Sequence, residues 1–286
     1  MVDRRSGSVG RVRPREGPTV VKPQALMLGL LAWYLYDRPV ALFSGSAIEV
    51  LGRAGVGEHA TRSTSARMVD RGLLERHRSG RRVYFALTDH ATRELREGRR
   101  RIDEPVDHDW DGWWTLVAFT MPQSWRARRH LLRSRLLWAR FGLLQSGLWI
   151  APSQVDVVAL LEGLGVDDHV TVFHARPDEP TDIDALVSEA WDLGRIASEY
   201  RSFLTRWQAR VRPSAADPLA QHLLVQAEWL RLLRLDPRLP LRHLPRDWPA
   251  VEAEKLFRQL TDELADPAAA QAEAALDLLP IRSSRA

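Results

Sequence analysis

The chain has 286 residues, more than one small domain needs, and 45% of them are hydrophobic, which allows sizeable cores and excludes general disorder. It contains no cysteine, so disulfide bonds and thiolate metal sites are excluded, and a reducing, cytoplasmic location is expected. Residues 1–104 hold 20 basic against 12 acidic residues (net +8) and residues 105–286 hold 21 against 25 (net −4), an asymmetry typical of an N-terminal nucleic-acid-binding module.

The first residues predict a disordered basic arm followed by a core helix. Residues 1–22 are rich in Arg, Gly, Ser and Pro and lack the apolar core of a signal peptide. Pro23 can open a helix, and Gln24 to Tyr36 is apolar almost all round. The longest apolar run, Leu26 to Tyr36, is much shorter than the ~20 residues of a membrane span, so no membrane partner is expected.

The stretch from Ser46 to Leu87 has the order helix, turn, helix, basic hairpin, which is the order of a winged helix-turn-helix. Ser46 is the predicted N-cap of the first helix, with Glu49 at capping-box spacing. Three glycines predict the tight turn after it: Gly52, Gly55 and Gly57. We expect this DNA-binding domain to span residues 23–104.

Glu58 to Arg71 is the predicted recognition helix. At 100° per residue its inner face consists of Thr61, Thr64, Ser65, Met68 and Val69, and its outer face of Arg62, Ser63, Ala66, Arg67 and Asp70. Arginines on the outer face of a helix can contact guanine or phosphate in the major groove. An ordinary solvated amphipathic helix would show the same pattern and remains the alternative.

A basic hairpin around Ser79-Gly80 is the predicted wing. Val83, Phe85 and Leu87 share one face of its second strand, which leaves Arg82 and Tyr84 on the other. Arginines at the tip would contact phosphate or the minor groove, although a hairpin that is merely soluble is the alternative. The candidate DNA-contacting residues of helix and wing are Arg62, Ser63, Arg67, Arg71, Arg78, Arg81, Arg82 and Tyr84.

The middle of the chain, residues 110–176, predicts a ferredoxin-like βαββαβ domain, so the predicted fold class is α+β. Its first helix, Gln123 to Phe141, should turn Trp125, Leu132, Leu136 and Leu137 towards the core. The opposite face carries Arg126, Arg128, Arg129, Arg133 and Arg135. These arginines would either bind the phosphates of an acyl-coenzyme A or form a solvated surface.

Three carboxylates precede the first strand of this domain: Asp107, Asp109 and Asp111. Their spacing suits a loop cation, and metal-dependent nucleases of similar fold place a carboxylate at a strand end. The Gly and Glu positions of a calcium loop are missing from this segment. Capping of the strand and a soluble linker also explain why three aspartates occur here. A nuclease that uses the winged helix for targeting is therefore the alternative function.

Residues 181–286 predict a mostly helical C-terminal domain. The patterns Asp184–Arg210, Asp217–Leu235 and Val251–Leu264 are helical, and from Ala265 the chain is expected to fray into a polar tail. Its large aromatic residues would form a dimer interface, a ligand pocket or only the core: Trp191, Tyr200, Phe203, Trp207, Trp229 and Trp248.

Several separated segments together resemble the PaaX-like regulators, the family of the phenylacetic-acid catabolon repressor. The resemblance runs from about Leu26 to Leu260 and is carried by the following segments: Arg62-Ser63 and Arg67-Met68-Val69 before Gly72-Leu73-Leu74; Gly80 to Thr88; Trp110-Asp111-Gly112-Trp113-Trp114, Phe141-Gly142 and Gly147 to Pro152; and Asp236-Pro237-Arg238-Leu239-Pro240, Leu244-Pro245 and Asp247-Trp248-Pro249.

This resemblance implies a dimeric repressor with a winged helix, a ferredoxin-like middle and a helical end, released from DNA by an aryl-acetyl coenzyme A thioester. By similarity it implies DNA contacts for Arg62, Arg67, Arg81 and Arg82. We therefore expect a homodimeric transcriptional regulator on a palindromic double-stranded DNA operator, with an acyl-coenzyme A effector and with neither cofactor nor metal. A dimeric module that acts through protein partners is a third interpretation.

Overall fold

The computed structural model describes residues 22–36, 38–106, 110–209 and 217–281. Over these ranges α-helices accompany two antiparallel four-stranded sheets, which confirms the predicted α+β class. The predicted basic arm lies outside the described residues apart from Lys22, and so do Asp107, Asp109 and residues 282–286.

The N-terminal part has the predicted order of helix, turn, helix and hairpin, with one additional strand. Its elements are α1 (Pro23–Tyr34), β1 (Val40–Phe43), α2 (Ser44–Arg53), α3 (Glu58–Asp70), β2 (Leu74–Ser79), β3 (Arg82–Leu87) and α4 (Asp89–Asp103). Pro23 occupies the first turn of α1, where its missing N–H costs nothing. Six of the twelve residues of α1 are buried, in agreement with the predicted core helix.

The predicted N-cap at Ser46 is wrong. Helix α2 begins at Ser44, and its N-cap residue, Phe43, makes no side-chain capping bond. The buried Ser46 hydroxyl instead accepts a hydrogen bond from the backbone N–H of Asp277, with Oγ and N 3.1 Å apart. A partner 231 residues away cannot be inferred from local capping-box spacing.

The C-terminal end of the chain completes the N-terminal sheet. Its strand order is β2-β3-β1-β8, and β8 (Leu278–Pro280) pairs antiparallel with β1 so that Leu279 lies opposite Ala41. The expectation of a frayed tail from Ala265 is therefore wrong. The helix before β8 continues to Ala275, because Ala268 and Ala272 on its inner side are buried.

The middle part has the predicted element order βαββαβ. Its elements are β4 (Trp114–Phe119), α5 (Arg126–Trp138), β5 (Gly142–Gln145), β6 (Leu148–Pro152), α6 (Val157–Leu161) and β7 (Val170–Ala175). All neighbours in the sheet order β5-β6-β4-β7 are antiparallel. Both helices pack on one face, where Leu132 and Leu161 share a core with Val117. The expectation that Leu137 faces this core is wrong, since it is 57% exposed.

The C-terminal part is helical, with α7 (Ile183–Ala190), α8 (Leu193–Gln208), α9 (Pro218–Leu235) and α10 (Ala250–Ala275). The single helix predicted from Asp184 is interrupted at Trp191, and Asp192 caps α8 by accepting a hydrogen bond from the N–H of Arg195 at 2.9 Å. Tyr200, Phe203, Trp207 and Trp229 are at most 1% exposed, so their role is that of a core.

Helix α9 joins the two ends of the chain. Leu219, Leu223 and Ala227 of α9 belong to the N-terminal core around α1, whereas Trp229 and Leu232 belong to the C-terminal core. Helix α9 thus contributes to both cores and connects the N-terminal one to the C-terminal one.

A buried polar chain crosses this junction. Tyr34 of α1 lies 2.8 Å from Nδ1 of His222 on α9, and the Gln226 side chain lies 3.4 Å from Nε2 of His222 and donates to Thr261 Oγ1 of α10 at 3.1 Å. Burial raises the pKa of Tyr34, so its hydroxyl stays protonated. Burial also lowers the pKa of His222 from 6.5 to about 4, so its ring is neutral at neutral pH.

This histidine should make stability depend on pH. The folded-state pKa of about 4 lies below the usual 6.5. The stability associated with neutral His222 is therefore fully present above pH ~6.5 and is lost as the pH falls towards 4, by roughly 3 kcal/mol. Urea unfolding at several pH values between 7 and 4 should show a shallower decline for His222→Gln than for the wild type. Parallel curves would contradict the assigned pKa.

Candidate nucleic-acid interface

Helix α3 follows a tight turn and presents two distinct faces. Gly55 has φ +88°, a left-handed conformation that favours glycine, and Gly57 is the N-cap of α3. Thr61, Thr64, Ser65 and Met68 are buried, which confirms the predicted inner face.

The polar character of this inner face is satisfied locally. The Thr61 hydroxyl donates to the Gly57 carbonyl at 3.2 Å, and the Ser65 hydroxyl donates to the Thr61 carbonyl at 3.0 Å. Hydroxyls that bond back to the preceding turn need no partner from the core. Short side chains also allow α3 to pack closely on the body of the sheet.

The outer face of α3 carries two arginines in weak local contacts. Arg62 is 64% exposed and pairs with Glu58 one turn earlier at 2.7 Å. Arg67 donates to Ser63 Oγ at 2.8 Å and to Thr64 Oγ1 at 3.1 Å. Exposed pairs at this spacing contribute only about 0.2–0.5 kcal/mol, so both guanidinium groups can exchange these partners for phosphate or a base edge.

The β2–β3 hairpin places further arginines beside α3. Ser79 pairs with Arg82, so Gly80-Arg81 is a two-residue loop, and Gly80 has φ +57° as such a turn requires. Arg78 and Arg81 flank the tip and are exposed. Arg71 at the end of α3 is exposed as well, with Nη1 3.4 Å from Gln24 Oε1.

A cleft of about 270 Å³ separates α3 from the hairpin. Arg62 of α3 and Arg76 of β2 both line it, above an apolar floor that includes Ile48, Val83 and Phe85. Arg76 is absent from the predicted contact set, although its alternation with Glu75 and His77 on the first strand of the wing could have indicated it. Two arginines from different elements beside one cleft give it a positive charge, which suits a nucleic acid.

Two of the predicted contact residues lie elsewhere. Tyr84 is 5% exposed and packs against Phe43 in a small core with Ala41 and Ala86, so the prediction of a DNA contact by Tyr84 is corrected. Arg82, on the same side of the sheet, pairs with Asp277 at 2.5 Å and lies over the Phe43 ring. The side chains of Leu279 and Ile281 pack on this side against the Tyr84 core, whereas Arg82 stays 59% exposed at its margin.

The arginine face of α5 is largely engaged. Arg128 donates to the Gly165 carbonyl, Arg129 to the carbonyls of Met121 and Pro122, and Arg135 to those of Leu160 and Glu162. These three side chains hold loops against the helix. Arg126 and Arg133 remain exposed on its surface.

The described residues do not assemble a metal centre. No group of three or more His, Asp or Glu side chains among them is placed to hold an ion. Asp111 accepts a hydrogen bond from the N–H of Trp113 at 2.9 Å, so it caps the start of the strand, as the alternative to a metal site predicts. Asp107 and Asp109 lie outside the described ranges. Within those ranges, no helix is long and apolar enough to span a bilayer.

Comparisons with known proteins agree with the resemblance seen in the sequence. Residues 22–91 match the family model described as PaaX-like protein, residues 107–187 the PaaX protein central Cas2-like domain, and residues 191–274 the PaaX-like protein C-terminal domain. The chain is 30% identical over 264 residues to the transcriptional repressor PaaX of Escherichia coli (strain K12), covering 87% of this chain and 83% of that protein. The chain belongs to the PaaX-like family.

A solved structure shares the fold. The uncharacterized protein Rv0674 from Mycobacterium tuberculosis superimposes with a TM-score of 0.59 over 88% of this chain and 99% of that one, at 24% identity. This similarity concerns the fold alone.

The burial of Tyr84 leads to a prediction that separates packing from DNA contact. Replacing Tyr84 with Ala should lower the free energy of unfolding by about 3–5 kcal/mol, because it leaves a cavity in the small core that Tyr84 forms with Ala41 and Ala86. Tyr84→Phe keeps the ring and should cost far less. Denaturant unfolding checks both variants, and a Tyr84→Ala protein of unchanged stability but reduced DNA affinity would contradict this assignment.

Proposed function

We propose that this protein is a DNA-binding transcriptional repressor. The observation that carries the proposal is the cleft between α3 and the hairpin, which exposed arginines line from both sides. The name of the Escherichia coli relative, a transcriptional repressor, supports the same conclusion.

In this proposal residues 23–104 form a winged helix-turn-helix, with α3 as recognition helix and the β2–β3 hairpin as wing. Residues 110–176 form a ferredoxin-like domain, for which the antiparallel strand order β5-β6-β4-β7 is support. Residues 181–286 form the helical domain, whose last strand joins the sheet of the winged helix. The basic arm, residues 1–22, would add charge near the DNA.

The arginines divide into two roles. Arg62 and Arg67, on the exposed face of α3, are placed to reach base edges, where a guanidinium binds guanine O6 and N7 through two hydrogen bonds. Arg71, Arg76, Arg78 and Arg81 surround them and would bind phosphates, which position the protein without reading sequence. Ser63 lies between the two base-reading arginines as an additional donor.

The operator should be a palindrome bound by a homodimer. Two-fold related copies place their recognition helices in successive major grooves, so half-sites one helical turn apart are expected. The edge strand β7 supports this proposal, because its Val172 and Phe173 are 39% and 58% exposed. In antiparallel pairing with a second copy about a two-fold axis, Val172 would lie opposite the Val172 of that copy, and β7 contains no Lys, Arg, Asp or Glu that would face a like charge.

Release from DNA by an aryl- or acyl-coenzyme A belongs to the same proposal and comes from the family resemblance. Arg126 and Arg133 are exposed on the α5 face and, in this proposal, would bind the phosphates of the effector. A thermal-shift screen of acyl thioesters against free coenzyme A tests it, with a higher Tm expected for at least one thioester. A flat response to all of them would remove the effector from the proposal.

The DNA-reading role of α3 has a direct test. Replacing Arg62 and Arg67 with Ala should cost about 1–3 kcal/mol per lost base contact, so the affinity for the protein's own promoter should approach that for random DNA. Fluorescence anisotropy at fixed salt measures both affinities, and the wild-type titration should saturate at two chains per operator duplex.

The matched control removes the same charge elsewhere. Arg195→Ala with Arg246→Ala takes two exposed arginines from the helical part and should leave the ratio of specific to random binding unchanged. Unchanged specificity in the Arg62 and Arg67 double variant, or an equal loss in the control, would contradict the recognition-helix assignment.

A further inference from the structure

Arg238 is a buried arginine in a segment that the proposed function does not use. It lies after α9 in Asp236-Pro237-Arg238-Leu239-Pro240, and it is 2% exposed. Its φ of +57° is a left-handed conformation that side-chain-bearing residues rarely adopt. Such backbone strain persists only where the surrounding structure holds it, and it occurs often at ligand-binding positions.

The whole guanidinium group of Arg238 lacks a hydrogen-bond partner. Nε, Nη1 and Nη2 are all buried without an acceptor in the part of the chain that the structure describes. In two other arginines, Arg140 and Arg231, only Nε lacks a partner. Their terminal nitrogens form ion pairs with Glu104 and Glu199, respectively. Arg238 therefore differs from these two arginines, because its charge is not paired with a carboxylate in the part of the chain that the structure describes.

An arginine side chain cannot lose its charge in a protein, so this burial is costly. An unpaired buried ion costs several kcal/mol, and folded proteins compensate buried charges with partners. Glu228 in the same core illustrates the rule, since its carboxylate accepts hydrogen bonds from Arg206 and from Trp207 Nε1. Among the described residues, no comparable acceptor meets the Arg238 guanidinium.

The carboxylate of Asp236, two residues before Arg238, already binds other donors. Asp236 accepts the Tyr200 hydroxyl at Oδ2, 2.5 Å away, and the backbone N–H of Arg238 at Oδ1, 2.7 Å away. Burial raises the pKa of Tyr200, and the negative charge of Asp236 raises it further. The positive charge of Arg238 lowers it, so the guanidinium lies close to both groups. Asp236 thus fixes the Arg238 backbone and leaves its guanidinium free.

The surrounding side chains add an aromatic wall and a further unpaired donor. Trp229 lies 6.0 Å from Tyr200 between ring centroids, and its buried Nε1 also has no partner. The ring centroid of Trp248 lies 6.4 Å from that of Tyr200, and because Trp248 is half-buried it extends the cluster to the surface. The unpaired groups around Tyr200 are donors, so what the cluster lacks is an acceptor.

We propose that Arg238 binds the carboxylate of a small organic acid, which enters the helical core beside Trp248. A carboxylate offers two coplanar oxygens that match the guanidinium fork, and the aromatic side chains suit an apolar organic body. A monoanion fits better than a phosphate dianion, because Asp236 and Glu254 already bring negative charge to this cluster. This ligand is chemically distinct from a thioester, and the proposal does not depend on DNA binding.

The test uses the full chain and thermal unfolding at constant ionic strength, with chloride as reference and acetate, benzoate and inorganic phosphate as probes. The wild type should gain roughly 5 °C in Tm with benzoate at a hundredfold excess over Kd. Arg238→Met, which has similar length but no donors, should show no response to benzoate. In chloride this variant should be at least as stable as the wild type, because an uncompensated buried charge has been removed.

Arg231→Met is the matched control, since Arg231 is a partly buried arginine of α9 that pairs with Glu199 at 2.7 Å. It should lose stability in chloride and keep the full response to benzoate. If Arg238→Met does not fold, Arg238→Lys decides, because it keeps the charge but loses the fork and should bind benzoate at least tenfold more weakly.

Several outcomes would overturn the proposal. A wild type without any carboxylate response, together with an Arg238→Met protein that is less stable in chloride, would make Arg238 a structural residue hydrated by buried water. A response to phosphate alone would exclude the carboxylate class. An unchanged benzoate Kd in Arg238→Lys, or an undiminished response in Arg238→Met, would place the binding site elsewhere.

Discussion

The packing of α9 is the constraint on which the rest of this structure depends. The helix is apolar on nearly every side, so it must be covered on all of them. It contacts α1, α2 and α4 of the N-terminal part as well as α8 and α10 of the C-terminal part. The N-terminal helices and the C-terminal helices thus pack on the same helix, and the return of β8 to the sheet of β1 adds a second connection between them.

Helix α9 gives a physical route between the proposed ligand site at Arg238 and the proposed DNA-binding surface. Arg238 follows the last turn of α9, while the first turns of α9 pack under α1, which also contacts α3. The polar chain from Tyr34 through His222 to Gln226 crosses the same junction. A shift of α9 would therefore move both the aromatic cluster around Tyr200 and the support of α3. Such a coupling needs no flexible linker between separate domains.

Arginine has several distinct roles in this chain, and its environment decides which. On α3 it is exposed and weakly held, on α5 it binds loop carbonyls, and at Trp138 two guanidinium groups, those of Arg101 and Arg234, lie 4.5 and 5.0 Å from one indole ring. Composition shows that the N-terminal third is basic, but it does not show which arginines are available. Availability depends on whether an acceptor lies within reach in the folded protein.

The sequence by itself determined what local periodicity and turn chemistry control. The inner and outer faces of α3, the glycine-broken turn before it, the β2–β3 hairpin and the βαββαβ order all follow from spacings within a few residues. The exposed arginines of α3 and of the hairpin tip could therefore be predicted from the sequence. Arg76 was not predicted, because its position beside Arg62 depends on the cleft that helix and hairpin form together.

Only the tertiary structure decided the features that depend on distant partners. Ser46 and Arg82 bond to Asp277, the Tyr84 ring is covered by the β8 segment, and Ala272 is buried in the N-terminal core. Each of these partners lies about 190 residues or more along the chain. The three residues of β8, Leu278–Pro280, are too few to show the alternation that predicts a strand, and they form one because β1 offers them an edge to pair with.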